Sequence, residues 1–359
     1  MSYAEWGDKL YSGEKSYKII QQRRMWVTIS LIAAVVCLAI PFVKGLNLGI
    51  DFTGGTVYQV TNTANPDPAI AFAVVAEYAP ETEARVNILG ADDVLVRIGV
   101  VELDVSRDIA SALAEGYDVH PDQVSFSEVG PTFGAQVGKK AVQGLIIFIA
   151  LVAVVMALYF RNWRMSVAAL VALLHDLVFT VGIYALLGFE VTPAALIGFL
   201  TILGYSLYDT VVVFDKLREN TENLTSQHRF TYAEMSNLAV NQTMVRSINT
   251  SVVALLPVAS ILFIGSWVLG AGTLKDISLA LFVGIAVGTY SSIYVAPPLE
   301  VMLSLRDKVI GKHTAEVEQM RESGTANVEL NEDGSVRVGA LQPGAHLGTK
   351  AQPKRKTRK

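Results

Sequence analysis

Asp209 stands inside an apolar stretch from Thr192 to Phe214, within the run GYSLYDTVVVFDKLREN (Gly204–Asn220). An ionisable side chain at the centre of a spanning helix costs roughly 2.5–3.5 kcal/mol, and a carboxylate kept there is placed for proton or ion passage. On a helix Asp209 shares a face with Tyr205 and Ser206, and beyond them with Thr201 and Gly198, a polar and small stripe suited to face other helices. Asp215, six residues on, can reach water and reads as an interface anchor. NQTMVRSINTS (Asn241–Ser251) opens the next apolar segment. Its Gln242, Arg246, Asn249 and Thr250 fall at i, i+4, i+7 and i+8, a single polar face. Arg246 stays protonated at any relevant pH. It either pairs with Asp209, favouring the ionised carboxylate, or snorkels to the headgroups; spacing leaves both open. A proton reaching Asp209 would weaken such a pair and free the helices to shift. His175 and Asp176 lie in a third apolar run, ALLHDLVFT (Ala172–Thr180), as a relay and counter-charge or as a hydrogen-bonded packing pair. Gly284 and Gly288, a GxxxG followed by Ser291 and Ser292, suit close helix packing, and that small-residue face is a candidate partner interface.

The elements that must position these residues are apolar helices. The chain has 359 residues, 52% hydrophobic and 17% charged, net charge −4, with a mean hydropathy of +0.41, values of an integral membrane protein. Six runs approach or reach the ~20 residues of a spanning helix: Met25–Val43, Ala141–Phe160, Met165–Leu187, Thr192–Phe214, Ser247–Ile264 and Leu274–Leu299. The first follows Arg23 and Arg24 like a signal peptide, but Pro41, Phe42 and Val43 replace a small-residue cleavage site, which favours an uncleaved span. By the positive-inside rule, Arg23, Arg24, Arg161, Arg164, Lys216, Arg218, Arg229, Arg246, Arg306, Lys308 and Lys312 place both termini in the cytoplasm and residues 44–140 outside. The expected organisation is a cytoplasmic N-terminus over 1–24, a first span over 25–43, an extracytoplasmic domain over 44–140, five spans over 141–303 and a cytoplasmic tail over 304–359.

The 44–140 segment carries fourteen Asp and Glu against six Lys and Arg. Strand patterns at Thr56–Thr63, Arg85–Leu89, Val94–Ile98 and Gln123–Val129 alternate with helical ones at Pro68–Tyr78 and Leu103–Tyr117; Gly90-Ala91-Asp92-Asp93 supplies a hairpin turn. The order β-α-β-β-α-β predicts a ferredoxin-like α+β module. The fold class is therefore a polytopic α-helical membrane protein with six transmembrane helices and one such domain. The tail, polar after Leu305, holds a weak hairpin signal at Val328–Val338 and ends PKRKTRK; it reads as largely disordered, either a solubilising extension or a basic segment held near anionic lipid or ribosomal RNA. Cys37, the single cysteine, excludes a disulfide or cysteine-based metal site within the chain. The run Gly134–Lys140 departs from a phosphate-binding loop in glycine spacing and in having Lys140 where Ser or Thr belongs. With no zinc spacing or nucleophile elbow either, neither an enzyme nor a cofactor or metal is expected, and no specific nucleic acid.

These features together resemble the SecF family of bacterial protein-export subunits. The motifs are GIDFTGGT (Gly49–Thr56, with Gly49, Asp51, Gly54 and Gly55), VGPTFG (Val129–Gly134), LLHD (Leu173–Asp176), GYSLYDTVVVFDKLREN, NQTMVRSINTS and GTYSSIYVAPPL (Gly288–Leu299), spread from about Met25 to Leu305. The resemblance implies membership of the proton-driven RND transporter superfamily, a half-transporter architecture, SecD as heterodimer partner, the SecYEG channel and, indirectly, SecA as associates. It implies unfolded preprotein as substrate, protons as coupling ion, and the bacterial cytoplasmic membrane as location. Asp209 and Arg246 then stand where the family places proton passage, and the external domain would receive the emerging chain. Many relatives carry Asn before that aspartate; Tyr208 here points about 100° from Asp209 on a helix. Two other readings are a proton-driven exporter of small molecules or lipids, which usually shows twelve spans and two large external domains in one chain, and a scaffold for other Sec components that tolerates neutral Asp209 and Arg246.

Overall fold

The computed structural model describes residues 3–90, 92–265, 272–323 and 338. The hairpin signal up to Asp333-Gly334, residue 91 of the domain's tight turn and the PKRKTRK ending lie outside the described residues. In chain order, helix α1 (Tyr3–Tyr11) precedes α2 (Arg23–Lys44), the two-residue strand β1 (Asn47–Leu48) and the single turn α3 (Ile50–Thr53). Then come β2 (Gly55–Val60), α4 (Pro68–Tyr78), β3 (Arg85–Leu89), β4 (Asp93–Ile98), α5 (Leu103–Gly116) and β5 (Val124–Val129). The bundle continues through α6 (Pro131–Phe160), α7 (Trp163–Leu187), β6 (Glu190–Val191), α8 (Pro193–Thr221), α9 (Tyr232–Ser260), α10 (Gly272–Tyr294), α11 (Ala296–Ser304) and α12 (Lys308–Glu322).

Local chemistry sets many of these boundaries. Asp67 caps α4 through the Ala69 N–H, with Pro68 at the first helical position. Asn162 caps α7 and Thr192 caps α8, again with Pro at the first position of α8. Thr231 and Glu234 form a reciprocal capping box on α9. Gly188, at φ 71°, ends α7 in the left-handed region that favours glycine. Helix α9 begins well before its apolar run, because Asn237 and Asn241 bury their polar ends by accepting from the Ile20 and Tyr17 backbone N–H groups, at 3.0 and 2.7 Å. The sixth apolar run is not one helix: α10 stops and α11 restarts around Val295, since Pro297 and Pro298 lack the N–H groups that a continuous helix would need.

Six helices are long and apolar enough to cross a membrane. Helices α8 and α10 form the centre, each with half of its apolar window buried, whereas α2 and α6 turn nearly all of theirs outward. That outward apolar surface suits hydrocarbon, where a helix satisfies its own backbone. The α+β domain is a four-stranded antiparallel sheet in the order β3-β4-β2-β5, the ferredoxin-like arrangement. Alternation puts Tyr58, Val60, Val94, Val96 and Ile98 on one face, where α4 and α5 cover them with Ala71, Val75, Ile109 and Leu113. Beyond Leu305, part of the segment expected to be largely disordered forms α12. Val317 is buried, Arg321 grips Glu234 through two bonds of 2.8 Å, and His313 meets the Gln227 carbonyl at 2.6 Å.

Candidate functional site

Asp176 on α7 and Asp209 on α8 are both buried, at 0 and 5% exposure. Each is enclosed by hydroxyls from neighbouring helices. Ser247 on α9 donates to Asp209 Oδ1 at 2.8 Å and Ser292 on α10 donates to Oδ2 at 2.7 Å. Ser291, the residue before, donates to Asp176 Oδ2 at 2.8 Å, and Ser206 on α8 donates to the same oxygen. His175 Nδ1 lies 3.1 Å from Asp176 Oδ1, which places a proton between them. Its ring packs on Phe179 with centroids 4.2 Å apart, and Nε2 is buried with no partner. Consecutive serines on α10 thus serve different carboxylates and join the two aspartates through one helix. Small side chains let the helices approach closely enough: a Cβ at Gly284 would overlap Ile202, and one at Gly288 would stand 3.0 Å from Ser206 Cβ. The small-residue face of α10 is therefore spent against α8 inside this chain, which corrects its reading as a partner interface.

Of the two alternatives for Arg246, the pair with Asp209 is not formed. Arg246 is exposed and its Nη2 donates to the Tyr208 hydroxyl at 3.2 Å. Tyr208–Arg246 and Asp209–Ser247 are thus adjacent rungs between α8 and α9. The face Gln242–Arg246–Asn249–Thr250 also turns away from the carboxylates. Gln242 donates to the Tyr11 carbonyl at 3.1 Å, Asn249 accepts from Tyr3 at 2.6 Å, and Thr250 bonds back to the Arg246 carbonyl at 2.7 Å. The inward face carries Thr243, Ser247 and Ser251 at i, i+4 and i+8, all buried. That hydroxyl spacing was readable in NQTMVRSINTS, but the bulkier polar residues masked it. Ser206 belongs to Asp176, not to Asp209, and the Tyr205 hydroxyl is buried without a hydrogen bond. Asp215 sits apart, accepting from Tyr159 at 2.7 Å.

The glycine-rich segment lies at the joint between bundle and domain. β1 pairs in parallel with β6, the short link between α7 and α8, and Gly49 N–H donates to the Val191 carbonyl at 2.9 Å. Gly54, at φ 80°, packs under Pro131, and Gly55, at φ 142°, abuts the Ile98 carbonyl, so only glycine fits either place. Arg97 of β4 pairs with Glu190 of β6 at 2.6 Å. Burial pushes the Glu190 carboxyl above its ordinary range, Arg97 opposes this, and nearby Asp276 and Asp51 add to it. Asp276 accepts from Thr192 at 2.9 Å. The helices that carry Asp176 and Asp209 are thereby fastened, through their connecting loop, to the domain's sheet. Among the described residues no group of His, Cys, Asp and Glu has the arrangement of a metal site.

Six apolar helices, a buried carboxylate pair among them and a ferredoxin-like domain fastened to the α7–α8 link define a polytopic membrane protein of transporter-like build. Residues 109–306 match the family described as protein export membrane protein SecD/SecF, C-terminal, and residues 39–61 match the SecD/SecF GG motif. Protein translocase subunit SecF of Streptomyces coelicolor is 47% identical over 315 residues, covering 85% of this chain and 84% of the relative. SecF of Mycobacterium tuberculosis H37Rv is 40% identical over 353 residues, covering 95% and 79%. The crystal structure of SecDF from Thermus thermophilus superposes with a TM-score of 0.70 at 31% identity, over 82% of this chain and 39% of that one. The chain belongs to the SecD/SecF family.

Proposed function

We propose that this chain is the SecF-type half of a protein-export accessory complex that uses the proton motive force to assist preprotein translocation. The observation that carries the reading is the pair of buried carboxylates held by hydroxyls and, at Asp176, by His175, with no Lys or Arg in contact among the described residues. A serine hydroxyl can donate to a carboxylate and, after rotation, accept from a carboxylic acid. The site therefore accommodates both protonation states of Asp209 and Asp176 without rebuilding. Arg246, one rung away on Tyr208, is the cation that would swing to an ionised Asp209. Each charge crossing the membrane brings about 2.3 kcal/mol per 100 mV, enough to move packed helices whose alternatives differ by a few kcal/mol. Motion of α7 against α8 passes through β6 to β1 and Arg97, and so to the domain.

In this reading the α+β domain is extracytoplasmic, both termini are cytoplasmic, and the domain handles a preprotein delivered through SecYEG after SecA. SecD is the partner; a SecDF chain whose structure this one matches over about two-fifths of its length supports that pairing. The test is proton-dependent stimulation of export in inverted membrane vesicles containing this chain and SecD. Asp209→Asn should remove the stimulation while leaving ATP-driven export by SecA. Full stimulation with Asp209→Asn would overturn the scheme.

A further inference from the structure

Outside the aspartate cluster the bundle buries a third carboxyl. Glu300, in α11, has 0% exposure. Its Oε1 accepts from the Tyr232 hydroxyl at 2.7 Å and from Ser304 Oγ at 2.6 Å, while Oε2 is buried with no partner. An ionised carboxylate has two oxygens seeking donors; here one is doubly served and the other has none. The arrangement suits a carboxylic acid with its proton on Oε2. The groups acting on Glu300 are Tyr232 from α9, Ser304 from its own helix and Arg164 from α7, whose guanidinium is engaged by Asp307. No charged group of α2, α8 or α10, which also pack on α11, stands among them.

The position of Glu300 links it to the site. It follows Ser292, the Asp209 partner, by eight residues. Between them lies the α10–α11 break, where Pro297 and Pro298 withhold the N–H groups that would close on the Ile293 and Tyr294 carbonyls. Carbonyls released from a helix ladder inside a bundle provide acceptors for ions or water. On the far side Ser304 leads to the part-exposed Arg164–Asp307 pair.

We infer that Glu300 is a proton-carrying carboxyl on the route between the Asp176–Asp209 cluster and the surface at Arg164–Asp307. When the side chain turns to bring Oε2 towards Ser304, the acid gives its proton to water at that surface, and the resulting carboxylate takes back the proton that Asp209 releases. The inference rests on the proton-coupled reading above, and two measurements separate their failures. In the full chain in lipid nanodiscs, infrared spectroscopy should show at neutral pH a deuterium-sensitive carboxylic-acid stretch that Glu300→Gln removes and Asp209→Asn keeps. If Glu300→Gln leaves all acid bands unchanged, the group is ionised and the inference is wrong. In vesicles with SecD, Glu300→Gln should remove most of the proton-dependent stimulation, with copurification of SecD unchanged, because Gln still accepts from Tyr232 and Ser304 yet carries no exchangeable acid. Wild-type stimulation in Glu300→Gln, with Asp209→Asn inactive, would sink the relay alone; wild-type stimulation in both would sink the proton-coupled reading and the relay together.

Discussion

Asp209 and Asp176 are costly residues whose cost is met by hydroxyls. Removing Ser247 or Ser292 leaves a buried carboxylate oxygen without its donor, so Ser247→Ala and Ser292→Ala should each destabilise by about 1–3 kcal/mol. Thermal unfolding of purified protein would show this as a lowered midpoint, and an unchanged midpoint would argue that these serines are incidental. Tyr208→Phe should behave differently, since the bond it removes is exposed and worth under about 1 kcal/mol. Its expected effect is on Arg246, which loses its partner one rung from Asp209. Proton-dependent stimulation should then shift its pH profile while the unfolding midpoint stays in place.

At the scale of elements, the glycine-rich turn and the helix contacts decide what can move. Gly55 holds φ 142° against the Ile98 carbonyl, a region open essentially to glycine alone, so Gly55→Ala should cost about 1–3 kcal/mol. Limited proteolysis should then cut the joint between α2 and β2 sooner than in the parent. Gly182 brings α7 onto α2, where a Cβ would lie 2.8 Å from Cys37 Cα. Gly182→Val should therefore separate those helices at a cost of about 1–3 kcal/mol, read as a lower unfolding midpoint; Gly144→Val, where the added Cβ meets nothing within 4 Å, is the control.

Across the whole molecule, the Arg97–Glu190 pair and the β1–β6 ribbon tie the sheet to the bundle. Glu190 has its folded pKa raised above the unfolded value, chiefly by burial. Its contribution to stability is therefore fully present below about pH 4.3, its unfolded pKa, and is lost as pH rises through the folded value. Unfolding midpoints of the parent should fall over that window more steeply than those of Glu190→Gln. Equal slopes in the two proteins would show that Glu190 is not the group responsible.

The sequence by itself determined the spans, the strand order of the domain and two of the bundle's buried carboxyls, Asp176 and Asp209, while Glu300, one residue past the last apolar run, went unread. Apolar run length, period-2 alternation and Asp in hydrocarbon are local properties, and Pro68–Tyr78 and Arg85–Leu89 were legible to the residue. What lay beyond local pattern was which face of a helix turns inward. Reading α9 by its largest polar side chains selected Gln242, Arg246 and Asn249, whereas packing placed the small Thr243, Ser247 and Ser251 inside. Closely packed helices admit a hydroxyl where a guanidinium does not fit, and the long polar side chains were drawn instead to the N-terminal segment and Tyr208. The early start of α9, the order in α12 and the proline break beside Glu300 likewise depend on partners distant in sequence. Only the tertiary structure decided that Asp209 rests on serines, with Arg246 waiting one rung away.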